Sequence, residues 1–172
     1  MVAAFLQADL AAELKRCLKH LKLKNIHGIP GEINIYEQNL PMQEPQEQDN
    51  IPAELLENGL AEEITEEDPY PYIIIKIEDG EIKDESSAQN IGTDLLIGIY
   101  DDSYEKQGHK DVLNIIHDIY ERFAKMPVLN QQYIIQYPIL WTLQDEESYP
   151  YYFGGMHLSW ELESIKREDP NV

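Results

Sequence analysis

Two stretches decide the fold: Tyr133-Ile-Ile-Gln-Tyr-Pro-Ile-Leu-Trp-Thr-Leu143 and Tyr151-Tyr-Phe-Gly-Gly-Met-His-Leu-Ser-Trp-Glu-Leu162. In the first, Tyr133, Ile135, Tyr137, Ile139, Trp141 and Leu143 occupy alternate positions, with Gln132, Gln136, Pro138, Thr142 and Gln144 opposite them. In the second, Tyr152, Met156, Leu158, Trp160 and Leu162 share one parity, and His157, Ser159, Glu161 and Glu163 the other. Side chains of a strand point alternately to its two faces, so each run predicts a strand with one dry side. The polar Gln144–Pro150 segment between them suits a hairpin loop. Tyr137, Trp141, Leu158 and Trp160 are expected to bury one face of this hairpin. Both tryptophans and five of the eleven tyrosines lie here, and the spacing shows no nucleophile, base pair or ligand cluster among them. The region reads as built for packing and contact.

Working outward, Val112, Ile115, Ile116, Ile119 and Phe123 mark an amphipathic helix from about 108 to 125, stopped by Pro127. Before it, Thr93–Tyr100 alternates Leu95, Ile97 and Ile99, and Tyr72–Ile77 is a β-branched run closed by the turn signal Asp79-Gly80. Near the start, Leu6, Leu10, Leu14, Leu18 and Leu21 form a helical stripe. It predicts a helix over about 3–24 with a basic C-terminal half (Lys15, Arg16, Lys19, Lys22 and Lys24), a sign of charge that suits the helix dipole. Gly28, Pro30 and Gly31 end it, and Ile33–Tyr36 reads as a short strand. The fold class is therefore α+β: a mainly antiparallel sheet of four to five strands with two helices packed on one face.

At 172 residues the chain is expected to form one domain, 1–172, with a substantial core. Residues 42–69 differ in character, being rich in acid and Gln and interrupted by Pro45 and Pro52. They read as an acidic, flexible insertion whose Leu55, Leu56, Leu60 and Ile64 would suit a short helix docking on a neighbour. Thirty-three acidic against thirteen basic residues give a net charge of −20, which argues against direct binding to nucleic acid or an acidic membrane. Asp9 interrupts the early apolar stretch, and the basic residues follow it, so no signal peptide is expected. No apolar run approaches bilayer length.

Candidate chemistry is sparse. The single cysteine, Cys17, permits no internal disulfide or cysteine metal cage and reads as a semi-buried inert thiol. Asp101-Asp102 could hold a divalent metal, but the simpler reading is a loop in which Asp102 or Ser103 caps a helix start. Asp145-Glu146-Glu147 reads as a solvated hairpin tip. None of the five histidines has a partner at metal or triad spacing. Gly154-Gly155, inside a strand run, marks a bulge or a close backbone approach. The expectation is no enzyme, no catalytic residue, no cofactor and no metal.

The segments Tyr70-Pro-Tyr-Ile-Ile-Ile-Lys-Ile-Glu-Asp-Gly80, Ile97-Gly-Ile-Tyr-Asp-Asp102, Trp141-Thr-Leu-Gln-Asp-Glu146 and Tyr151-Tyr-Phe-Gly-Gly-Met156 with Trp160-Glu161, taken with the helix between the second and third, resemble the tail terminator, or tail-to-head joining, proteins of long-tailed bacteriophages and prophages. The likeness covers about residues 70–163. It implies a small α/β fold and a homo-oligomeric ring, commonly hexameric. That ring caps the tail tube, stops its polymerisation and joins it to the head. The implied partners are further copies of the chain, the tail tube protein and a head-completion protein. The implied location is the virion, after synthesis and assembly in the bacterial host cytoplasm. The acidic insertion departs from a minimal member.

A ring needs self-complementary surfaces, and aromatic residues concentrate in them. Tyr151, Phe153 and Leu140 are surplus to one core face; they are candidates for that role or are covered by a second layer of the same subunit. Lys15, Arg16, Lys19 and Lys22 would meet a neighbour's acidic segment, including Leu55, Leu56 and Leu60, with Asp145 and Glu146 at the hairpin tip as further interface residues. The alternative is an acidic inhibitor imitating DNA. Its carboxylates would have to be fixed along a rigid face, whereas 17 of the 33 fall between Glu32 and Glu85, largely in the insertion.

Overall fold

A computed structural model describes residues 2–42 and 68–163. Its elements in chain order are helix α1 (Val2–Cys17), strands β1 (Leu23–Lys24), β2 (Pro30–Gly31), β3 (Asn34–Glu37), β4 (Tyr72–Ile82) and β5 (Gln89–Tyr100), helix α2 (His109–Lys125), and strands β6 (Val128–Leu129), β7 (Tyr133–Leu143) and β8 (Tyr151–Leu162). β1 and β2 form a small ribbon; the other six make one sheet in the order β3-β4-β5-β8-β7-β6. Only the β3–β4 pairing is parallel. The α+β class and mainly antiparallel sheet are as read from the sequence, with six strands where four to five are expected.

Parity explains the core. Leu95, Ile97 and Ile99 of β5 face the same side as Met156, Leu158 and Trp160 of β8, and the stripes of both helices close over them. Leu6, Leu10 and Leu14 of α1 and Val112, Ile115, Ile119 and Phe123 of α2 are buried there. Trp160 is wholly buried, packs edge-on to Phe123 at a centroid distance of 5.1 Å, and donates its indole N–H to Thr93 Oγ1 at 3.0 Å. Gly154 lets α2 approach: a Cβ there would stand 2.5 Å from Val112 Cγ1. The glycine pair thus marks a close approach, and the β8 register runs through it unbroken.

Four expectations need correction. The first helix ends at Cys17, so Lys15 and Arg16 sit in its last turn while Lys19, Lys22 and Lys24 lie beyond it. Asp79-Gly80 is no turn: β4 runs on to Ile82, and the reversal falls at Asp84–Ser87, where the Asp84 carboxylate accepts from Ser86 and Ser87. The helix after Asp101-Asp102 starts only at His109, and Asp101 instead accepts from the Ser103 N–H within the loop. Finally, Tyr137 and Trp141 are 64% and 57% exposed, although Leu158 and Trp160 are buried as expected. β7 bulges between Gln136 and Leu140, three residues standing against Leu158 alone, and Pro138 sits in that irregularity, where its missing N–H is tolerated. Parity is restored at Trp141, opposite Met156, so it faces the helix side. There α2 does not reach far enough to cover it.

The helices are also pinned electrostatically. Glu13 of α1 pairs with Arg122 of α2 and with Arg16, and all but Arg16 are largely shielded from solvent. The hydrogen bond from Arg16, followed by those from Arg122 against the cost of burial, holds the Glu13 carboxyl below its usual 4.5. A carboxyl depressed in the fold stabilises above its unfolded value, and that contribution is lost as pH falls through the folded value. Urea midpoints measured downward from pH 5 should therefore fall less steeply in Glu13→Gln than in the parent. Equal slopes would show the pairing to be without consequence. Trp160→Ala should lose about 3–5 kcal/mol, whereas Trp141→Ala should stay within about 1 kcal/mol, both read from chemical denaturation. Equal losses would contradict the packing described.

Candidate functional site

The sheet has two unlike faces. Helices back one; among the described residues no helix backs the other, on which Tyr72 and Ile74 are nevertheless buried. Here Tyr70, just before β4, stacks on Tyr72, Tyr151 and Phe153 at centroid distances of 5.1, 4.9 and 6.3 Å, and Tyr151 continues to Tyr100 at 5.7 Å. Gly98 makes room for the cluster, because a Cβ there would meet the Tyr72 ring at 2.4 Å. Burial within the cluster, reinforced by the neighbouring phenols, pushes the Tyr70 hydroxyl well above its ordinary range. Leu96, 38% exposed, borders the cluster, and Leu140, 55% exposed, lies farther along the same face opposite His157.

Among the hollows that flank this sheet, two lie beside interface candidates. One, of about 310 Å³, is enclosed by the 144–150 loop and the start of α2, and takes in Asp145 and Glu146. Lys106 bonds Glu147 at 2.5 Å beside it and lies over the Tyr149 ring. The other, of about 340 Å³, is an apolar groove between Leu113, Ile116 and Tyr120 of α2 and Tyr137, Ile139 and Trp141 of β7. Beside it, β7 pairs with β6 only at Tyr133 and Ile134, so the rest of that edge carries no strand among the described residues.

Of the interface candidates, Tyr151 and Phe153 lie together on the open face, and Leu140 lies on the same face farther along the sheet, opposite His157. Lys15, Arg16, Lys19 and Lys22 lie at and beyond the end of α1, and two are engaged within the chain: Arg16 with Glu13, and Lys22 with Glu32 at 2.9 Å. Leu55, Leu56 and Leu60 lie outside the described residues. Cys17 is half-buried, and desolvation pushes its thiol up to about 11, in keeping with an inert role.

One constellation was missed. On the open face, His157 Nδ1 donates to Asp94 Oδ1 at 2.7 Å and lies 3.2 Å from Glu78 Oε2, while Ser159 Oγ stands 3.3 Å from Nε2. Spacing along the chain shows no partner for His157 because its partners come from other strands. His157 and Ser159 share a face because they are two apart on β8; Asp94 joins them as the cross-strand neighbour of His157. Glu78 arrives through a bulge, since Ile77 pairs with Thr93 and Asp79 with Gly92, leaving Glu78 as the extra residue.

The Ser–His–Asp order matches that of a hydrolytic triad, but the surroundings do not. An acyl transfer needs N–H donors aimed at a developing oxyanion. Around Ser159 the strand is paired on both sides, with Gly92 and with Gln136, so its amides are committed to the ladders. Neither hollow is lined by these residues. In comparisons with known proteins, no family model and no curated protein matches the chain.

Ser159→Ala should accordingly leave any hydrolysis of activated esters by the purified protein unchanged. A loss of a hundredfold or more would restore the triad reading.

Proposed function

We propose that this chain is a structural protein of the tail terminator type. It assembles into a ring, commonly of six copies, that caps a phage tail tube, stops its growth and serves its joining to the head. It acts without catalysis, in the virion, after assembly in the bacterial cytoplasm. The observation that carries this reading is the aromatic cluster on the sheet face that no helix among the described residues backs. A monomer rarely exposes a contiguous apolar patch without a use for it. Tyr70, Tyr100, Tyr151 and Phe153, half-buried around the buried Tyr72 and bordered by the exposed Leu96, with the exposed Leu140 farther along the same face, offer rigid aromatic area of the kind that anchors protein contacts. The groove at Trp141 and the open edge of β7 beside it provide a second contact zone at an angle to the first. Two different patches on one subunit are what a head-to-tail ring requires, since each copy meets its two neighbours through different surfaces. The resemblance noted in residues 70–163 supports the same reading, and the strongly acidic charge disfavours a direct role on nucleic acid.

Sedimentation of the full chain, alone and with tail tubes, tests it. The parent should run as a ring of several 20.0 kDa copies, at least when tubes are present. Leu140→Glu, at an exposed position, should keep the thermal midpoint within a few degrees and weaken assembly by roughly a hundredfold, because it buries an unpaired charge in the contact. A parent that stays monomeric in both conditions contradicts the proposal, as does undiminished assembly of Leu140→Glu together with Trp141→Glu.

A further inference from the structure

We propose that the open face of the sheet holds a divalent transition-metal ion between Glu78, Asp94 and His157. Their nearest donor atoms, two carboxylate oxygens and an imidazole nitrogen, all lie within 4.8 Å of one another. They come from three adjacent strands, β4, β5 and β8, so a rigid sheet sets their spacing.

The local architecture converges on this point in three ways. The bulge at Glu78 turns two successive side chains, Glu78 and Asp79, to the same face, where a regular strand would send one of them inward. Gly92, the partner of Asp79, leaves the space open: a Cβ there would stand 2.4 Å from Asp79 Oδ1 and 3.3 Å from the His157 ring. Asp79, a further carboxylate, is therefore held on the His157 side of the face. Finally, Ser159 Oγ lies 3.3 Å from Nε2. When Nδ1 binds a metal, the imidazole proton moves to Nε2, and Ser159 is placed to accept it. A partner of this kind on the second nitrogen fixes the tautomer of metal-binding histidines.

Charge points the same way. Asp94 and Glu78 both approach His157 Nδ1. Lys76, the cross-strand neighbour of Asp94, adds one positive charge. The carboxylates of Glu78, Asp79 and Asp94 outnumber that one ammonium, a local excess of negative charge that favours a cation. An imidazole with carboxylates suits zinc or manganese better than calcium, whose sites are built from oxygen alone. The ion would tie the β4 bulge to β8 and stiffen the face proposed above as a contact surface, although the site stands independently of that role.

The test uses the full chain, stripped with a chelator, dialysed, and titrated with Zn²⁺, Mn²⁺ or Ca²⁺ in separate calorimetric runs. Zn²⁺ should bind at one ion per chain and, at a hundredfold excess over its Kd, raise the thermal midpoint by about 5–10 °C. His157→Gln and Asp94→Asn should keep the midpoint of the stripped parent and lose roughly tenfold or more in Zn²⁺ affinity. Asp101→Asn/Asp102→Asn, at the other acidic pair, should bind as the parent does. Three results would overturn the site: no saturable uptake of Zn²⁺ or Mn²⁺ at millimolar concentration, uptake unchanged in His157→Gln, or Ca²⁺ bound more tightly than Zn²⁺. If His157→Gln unfolds the chain, Ser159→Ala decides instead, with an unchanged midpoint and a weakened Zn²⁺ affinity expected.

Discussion

The antiparallel pairing of β5 with β8 is the constraint on which the rest of the structure depends. These two 12-residue strands, distant in sequence, pair along their whole length from Gln89–Leu162 to Tyr100–Tyr151. Because side chains alternate, this one register decides the identity of both faces. It sends Leu95, Ile97, Leu158 and Trp160 under the helices and Asp94, His157, Tyr151 and Phe153 to the open side. A slip of one residue would invert both sets, placing charge in the core and tryptophan in water. The burial of the inner face therefore holds the outer face in place, although the outer groups contribute little to the core themselves.

That division bears on function. A chain with a well-filled core needs no second layer, so apolar side chains left on the other side call for a separate explanation. The glycines of β5 shape that side. Gly98 accepts the ring of Tyr72 and Gly92 the carboxylate of Asp79, so β4 folds its side chains across β5. One end of the face is thus aromatic and the other polar and acidic, within a single rigid sheet. Such a surface suits a contact that needs both a dry anchor and a charge-selective rim.

Much of this was legible in the sequence, for reasons that can be named. Alternation in residues 151–162 identified β8 and its buried parity, and the 3.6-residue stripe of Val112 to Phe123 identified α2. Parity alone does not say how far a helix reaches, and so Trp141 was expected to be buried where it is exposed. Asp79-Gly80 resembles a hairpin turn locally, and only the pairing with Gly92 shows it to be inside a bulged strand. The polar site was invisible because Asp94 and His157 are 63 residues apart, and a pattern of spacings along the chain cannot register a cross-strand pair. His157 and Ser159 at i and i+2 on a polar parity were the one local sign of it. The early end of α1 at Cys17 was missed because Leu18 continues the apolar stripe and stays buried after the helix has stopped.

The central claim is that this chain ends the growth of a tail tube, and tube length is its most direct measure. Tail tube protein polymerised with increasing amounts of the chain should give progressively shorter tubes by electron microscopy, each with extra density at one end. Tubes of undiminished length with bare ends would contradict the account.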